Sequence, residues 1–282
     1  MIYLEKIKLT IIGIIIISIS FYLTNTNLNK LMENDPIMKE IKKKEEKYEI
    51  KSIDAEIIGN TIISGKKGRK VDEKKSYSKM KKYGTYNEAL TEVKSIKPVI
   101  SIEDNYDKYI IKGNEEKRQI SIVFPINEKE QLESLISILK SKNTIATFFI
   151  DGTLLERSAL IIKNNPEFEY EILNYQNTYK ESLLKTSMSY LETITKKRSS
   201  FCYTQKDNDK LLEFCKKSSL HTIKPTLSIK KELYKTIKQK ISNAMIISIT
   251  DNKYTEKELP MIIDYIEKKN FSIVLLEELI KE

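Results

Sequence analysis

From Gln119 to Glu282 the sequence alternates between short apolar runs and amphipathic segments, and no other feature restricts the fold as strongly. Strand-like runs fall at residues 120–124, 145–150, 169–173, 200–203, 221–223, 245–249 and 272–275. Between them, Leu132, Leu135, Ile136 and Leu139 form one apolar stripe at helical spacing, and Leu183, Leu184, Met188, Leu191 and Ile194 form another. Seven strands separated by covering helices predict an α/β fold with a parallel sheet, open or closed into a barrel. In such folds the loops after the strand C-termini carry the chemistry, so those loops are the places to search for a site.

The first quarter of the chain obeys different rules. Residues 9–23, LTIIGIIIISISFYL, are uncharged and apolar, follow Lys6 and Lys8, and reach membrane length with Ile7 and Thr24. Phe21, Tyr22 and Leu23 stand where a signal-peptide cut needs small residues. The segment therefore predicts an uncleaved single-pass transmembrane anchor over residues 1–24, with a cytoplasmic N-terminus and an extracellular body. Residues 25–52 have the mixed charge of a polar tether or exposed helix.

Residues 53–115 predict a small α+β extension. IDAEIIGNTIIS breaks at Gly59-Asn60 like a hairpin, residues 71–83 suit a short amphipathic helix ended by Gly84, and PVISI and KYII are β-prone. The intervening GKKG has the bare pattern of an RNA-binding loop, but it follows a strand where such loops join two helices, so it predicts a charged turn.

Net charge is +9, almost all from lysine, because Arg69, Arg118, Arg157 and Arg198 are the only arginines. Acidic residues are interleaved with the lysines, which fits an anionic envelope surface and argues against a nucleic-acid partner. Cys202 and Cys215 fall at a predicted strand end and in the following helix; their spacing permits a bridge, and two buried free thiols are the favoured reading. His221 is the only histidine, which excludes a multi-histidine metal site, and it predicts an ordinary strand residue.

Three segments carry a resemblance to a known family. ATFFIDG at residues 146–152, ISIVF at 120–124 and ELPMIIDYIEKKNFSIVLLEEL at 258–279 are similar in order and spacing to the NodB-type polysaccharide deacetylases. That resemblance implies a NodB-like distorted (β/α)7 barrel over residues 116–282. Members of the family remove acetyl groups from amino sugars of peptidoglycan or chitin. One aspartate acts as base, while a second aspartate and two histidines spaced H-x3-H hold a divalent metal. Here the aspartate positions hold Pro125 and Ile126, and the histidine positions hold Tyr175 and Tyr179. The arginine loop corresponds to residues 202–206, where no arginine remains, and Thr250 stands where the acid histidine belongs, before a retained Asp251. The resemblance thus implies a degenerate former site with no catalytic residue and no metal cofactor.

Tyr175, Tyr179 and Tyr203, with Asp151 beside them, suggest a platform for a peptidoglycan-like cell-wall glycan, since a phenol offers a flat face and a hydroxyl. The competing readings are a packing plug at the old site, a protein-interaction scaffold at the envelope, and a rebuilt hydrolase using Asp151, Asp251 or Glu128.

Overall fold

The computed structural model describes residues 2–250 and 252–282, with the side chains of residues 2–10 and 23–29 left aside. In chain order it forms α1 (Ile2–Asn34), α2 (Pro36–Lys44), β1 (Glu56–Ile58), β2 (Thr61–Ile63), β3 (Gly68–Val71), α3 (Glu73–Lys81), β4 (Val93–Ile96) and β5 (Tyr109–Lys112). The alternating region follows as β6 (Gln119–Ile126), α4 (Lys129–Ser141), β7 (Thr147–Ile150), α5 (Leu155–Lys163), β8 (Glu169–Ile172) and α6 (Glu181–Thr195). It continues as β9 (Phe201–Tyr203), α7 (Asp209–Lys217), β10 (His221–Ile223), β11 (Leu227–Ile229), α8 (Leu233–Lys240), β12 (Ile246–Ile249), α9 (Thr255–Lys268), β13 (Ser272–Ile273) and α10 (Leu276–Ile280).

The chain divides into two compact units, residues 1–51 with 68–96, and residues 52–67 with 97–282. In the smaller unit, Asp35 caps α2 by accepting the Ile37 amide at 2.9 Å, with Pro36 pre-set for the first helical turn. Its carboxylate also accepts from the Tyr77 hydroxyl at 3.0 Å, which pins α3 to α2. Ile37 and Ile41 bury against Val71 and Met80 beside the antiparallel pair β3 and β4. Of the two readings of residues 25–52, polar tether or exposed helix, the helical one describes the chain as far as Lys47, with Ile37, Met38 and Ile41 buried on one apolar face. Among the described residues no helix is long and apolar enough to cross a membrane. The expected anchor lies in α1, and the side chains of Leu9, Thr10 and Leu23 fall outside those described.

The larger unit holds two sheets. One has the order β11-β12-β6-β7-β8, with β13 added to β6, and the other has the order β1-β2-β5-β10-β9. Every pairing in them is parallel except the β1–β2 hairpin, whose turn uses Gly59 at φ +62°. All seven expected strands of the alternating region are present, and β11 is additional, its start disguised in the sequence by Pro225. The result is a mixed α/β fold. Strands β1, β2 and β5, from before residue 116, share a sheet with β9 and β10 from after it.

Strand alternation sorts the core into two layers. Phe124, Ile126, Phe148 and Ile150 face the helices, where the α4 stripe covers them, while Val123, Phe149, Leu173, Phe201 and Ile223 face inward. The β-prone PVISI run is corrected: residues 98–101 bend without forming a strand and lead into a 3-10 turn at Ile102–Asp104, since Pro98 lacks a donor and the Ser101 hydroxyl accepts the Glu103 amide at 3.1 Å. Gly65 of the charged turn is required by close approach, as a Cβ there would lie 2.4 Å from the Ile53 carbonyl oxygen.

The favoured free-thiol reading is also corrected. Cys202 and Cys215 form a disulfide. Both side chains point into the layer between the strands and α7, and the strand-to-helix return brings their Cα atoms to 6.3 Å, within bridging range. His221 is the half-buried strand residue expected, stacked on Tyr106 at 4.3 Å, and burial pushes its imidazole down to about 4.

Candidate functional site

Because β6, β7, β8, β9, β10 and β12 run parallel within their sheets, their C-termini deliver loops to common edges. A cleft of about 470 Å³ opens there, lined by Pro125, Tyr179, Tyr203, Thr250, Asn174 and Gln205, among others. It gathers four of the positions singled out from the sequence. Pro125 sits in β6 beyond Val123, the last residue paired with β12, so its missing N–H costs that ladder nothing.

Ile126, Asp151, Tyr175 and Glu128 are placed outside the cleft lining. Ile126 is fully buried on the helix-facing side of β6, because consecutive strand residues point to opposite faces, so it cannot line the cleft alongside Pro125. Asp151 is a turn residue. Its Oδ1 accepts the Thr153 amide at 2.9 Å and its Oδ2 accepts the Gln176 amide at 3.0 Å, which consumes the carboxylate locally.

Tyr175 is drawn away from Tyr179 by a tight turn. Tyr175 and Thr178 exchange backbone hydrogen bonds of 3.1 and 3.0 Å across Gln176 and Asn177, both at positive φ, and Tyr175 does not line the cleft. Its ring instead lies over Gly152, where a Cβ would come within 3.0 Å of Tyr175 Cδ2 and 2.3 Å of Ser187 Oγ. Asp251 lies outside the described residues. Glu128 is an exposed residue at the start of α4 that makes no side-chain cap.

Tyr203 belongs to the inner core. Its ring centroid is 4.9 Å from that of Phe149, and its hydroxyl lies 2.6 Å from Ser248 Oγ and accepts from Gln205 Nε2 at 3.0 Å. Burial raises the Tyr203 phenol against those two hydrogen bonds, and burial alone raises the Tyr179 phenol. The lining carboxylate at the rim, Asp207, is held below the usual range by Lys224 at 2.6 Å and by the Asn60 amide at 3.2 Å. Thr250 Oγ1 is buried without a hydrogen-bond partner among the described residues.

At neutral pH the described lining therefore presents neutral phenols, hydroxyls and amides, together with Lys206, Lys230 and the Lys224-paired carboxylate of Asp207 at the edge. Phenols, amides and a hydroxyl are a poor donor set for a divalent metal, and among the described residues no three His, Cys, Asp or Glu side chains gather to hold one. Asn127, Asn174 and Asn177 are not among the site residues expected from the sequence, and Gln205 enters there only within the 202–206 loop. Their signal was positional, since each lies just past a strand end or in the loop it leads into.

The architecture is that of the family 4 carbohydrate esterases. BA3943 from Bacillus anthracis, a pseudoenzyme of that family, superposes with a TM-score of 0.66 at 21% identity, over 88% of this chain and 96% of its own. PdaA from Bacillus subtilis, a family 4 carbohydrate esterase, gives 0.53 at 15% identity over 62% of this chain and 86% of its own. The Bc1960 peptidoglycan N-acetylglucosamine deacetylase gives 0.56 at 14% over 61% and 92%. By sequence the chain is 25% identical over 272 residues to the uncharacterized protein YlxY of Bacillus subtilis, across 88% of this chain and 84% of that protein. No family model matches the sequence.

Proposed function

We propose that this chain is a deacetylase-like protein of the cell envelope that binds cell-wall glycan at the strand-end cleft without hydrolysing it. The observation that carries this reading is the make-up of the cleft, in which phenols, amides and hydroxyls surround a space of about 470 Å³ and the rim carboxylate is already tied to Lys224. A sugar ring presents an apolar face and a periphery of hydroxyls. Tyr179, half-buried and edged by Asn174 and Gln205, offers the complement to both. Deacetylation needs a base near neutrality and an electrophile for the acetyl carbonyl, and the described lining residues supply neither.

Resemblance to BA3943, itself a pseudoenzyme, supports the silent reading, and the peptidoglycan deacetylase among the structural neighbours supports the glycan. The Cys202–Cys215 disulfide supports an oxidising, extracytoplasmic location for the larger unit. The uncharged run at residues 9–23 supports a membrane anchor with the body outside the cell.

Co-sedimentation of the full chain with insoluble peptidoglycan tests the proposal. Wild type is expected to pellet with the polymer and Tyr179→Ala to stay largely in the supernatant. Wild type left in the supernatant overturns it.

A further inference from the structure

A second cavity, of about 420 Å³, opens at the opposite ends of the same strands, in the seam between β8 and β9. The two strands are the last members of separate sheets, and no ladder joins them. A side chain bridges the seam: Glu171 Oε1 accepts the Ser200 amide at 2.9 Å. Glu171 is only 3% exposed and lines the cavity, and its second oxygen, Oε2, is buried without a partner. An unpaired carboxylate oxygen in that setting costs free energy unless a donor reaches it. Burial pushes this carboxyl well above its ordinary range, and Glu169 adds to the rise against the lowering by the Ser200 and Phe201 amides and the Ser199 hydroxyl, so the acid is held protonated and an ammonium that reaches it displaces that proton.

The mouth carries mostly the opposite charge, three cations beside one exposed carboxylate, Glu277. Lys163, Lys197 and Arg198 are exposed, line the cavity, and make no ion pair among the described residues. Phe168 and Ile194 add apolar wall between floor and mouth. A purely cationic guest would face three cations against the single exposed Glu277 on entry, and a purely anionic one would meet the Glu169 and Glu171 carboxyls further in. A small molecule with an ammonium at one end, a carboxylate at the other and an aliphatic side chain satisfies all three surfaces.

We propose that this cavity binds a small zwitterion of the α-amino-acid class, with its ammonium on Glu171 and its carboxylate held by Lys197 and Arg198. The site is separate from the strand-end cleft and shares no lining residue with it.

Titration calorimetry on the full chain tests this with leucine, in both enantiomers, and with its two halves, isopentylamine and isocaproate. At least one enantiomer is expected to bind, and each half about tenfold or more weaker. Glu171→Gln keeps an acceptor for the Ser200 amide but removes the ammonium partner, so leucine affinity falls by about tenfold or more. Lys197→Ala combined with Arg198→Ala, both at exposed positions, is a second variant that leaves the buried seam untouched and weakens leucine without affecting isopentylamine. No heat from either enantiomer at about 10 mM, equal affinity for either half alone, or unchanged leucine affinity in both variants overturns the proposal.

Discussion

The two ends of strand β8 hold contrasting chemistry. At its C-terminal end the described lining contains phenols and amides, while at its N-terminal end two glutamates three residues or fewer from the strand start, Glu169 and Glu171, are pressed into the protein and both are shifted upward by burial. The end that carries catalysis in the resembling family here offers phenols, amides and hydroxyls. The groups shifted at the C-terminal end are phenols and a carboxylate already paired with Lys224, whereas buried carboxyls raised by desolvation mark the β8–β9 seam.

The largest expected effect removes the support common to both ends. Phe148 is fully buried in β7, with ring contacts to Phe124, Phe168 and Tyr170. Phe148→Ala is expected to cost about 3–5 kcal/mol in urea unfolding and to weaken both sites together. Next comes the clip between β9 and α7. Replacing Cys202 and Cys215 by alanine opens a loop with a sequence separation of 13, and is expected to lower stability by about 3 kcal/mol by the same measurement.

Two smaller changes separate the ends. Tyr203→Phe touches only the C-terminal side. It strips the Ser248 hydroxyl of its partner in a buried setting and is expected to cost about 1–3 kcal/mol, without altering leucine binding. Glu171→Gln touches only the seam. Its folded-state pKa lies above the ordinary value of 4.5, so the folded protein keeps a proton that the unfolded chain releases, and stability declines as pH rises from about 4.5 toward the folded value. The glutamine variant lacks that decline and is expected to melt at the same or a higher temperature than wild type at pH 8. A variant that melts lower at pH 8 than wild type, by more than it does at pH 4, contradicts a strained carboxyl.

Much of this was legible in the sequence, for a physical reason. The α4 stripe of Leu132, Leu135, Ile136 and Leu139 and the runs of β6, β7 and β12 repeat at fixed periods, so burial follows from spacing alone. The PVISI run was misread because β propensity does not register a hydroxyl cap such as Ser101. The small unit was missed because its core needs only Ile37, Ile41, Val71 and Met80, scattered among lysines. Among the site residues, Pro125, Tyr179, Tyr203 and Thr250 met as the loop order implies. Ile126 and Tyr175 did not, since strand alternation turns one to the helices and the Gln176-Asn177 turn carries the other over Gly152. The seam cavity was invisible because it depends on which two strands fail to pair, and spacing carries no record of that.

The account stands most directly on one paired assay, in which the full chain is incubated with N-acetylated peptidoglycan and added Zn²⁺ or Co²⁺ while released acetate and retained protein are recorded together. It predicts retention that depends on Tyr179 and acetate no higher than a protein-free control. Acetate rising in proportion to protein, or retention identical in wild type and Tyr179→Ala, would contradict a silent glycan-binding cleft.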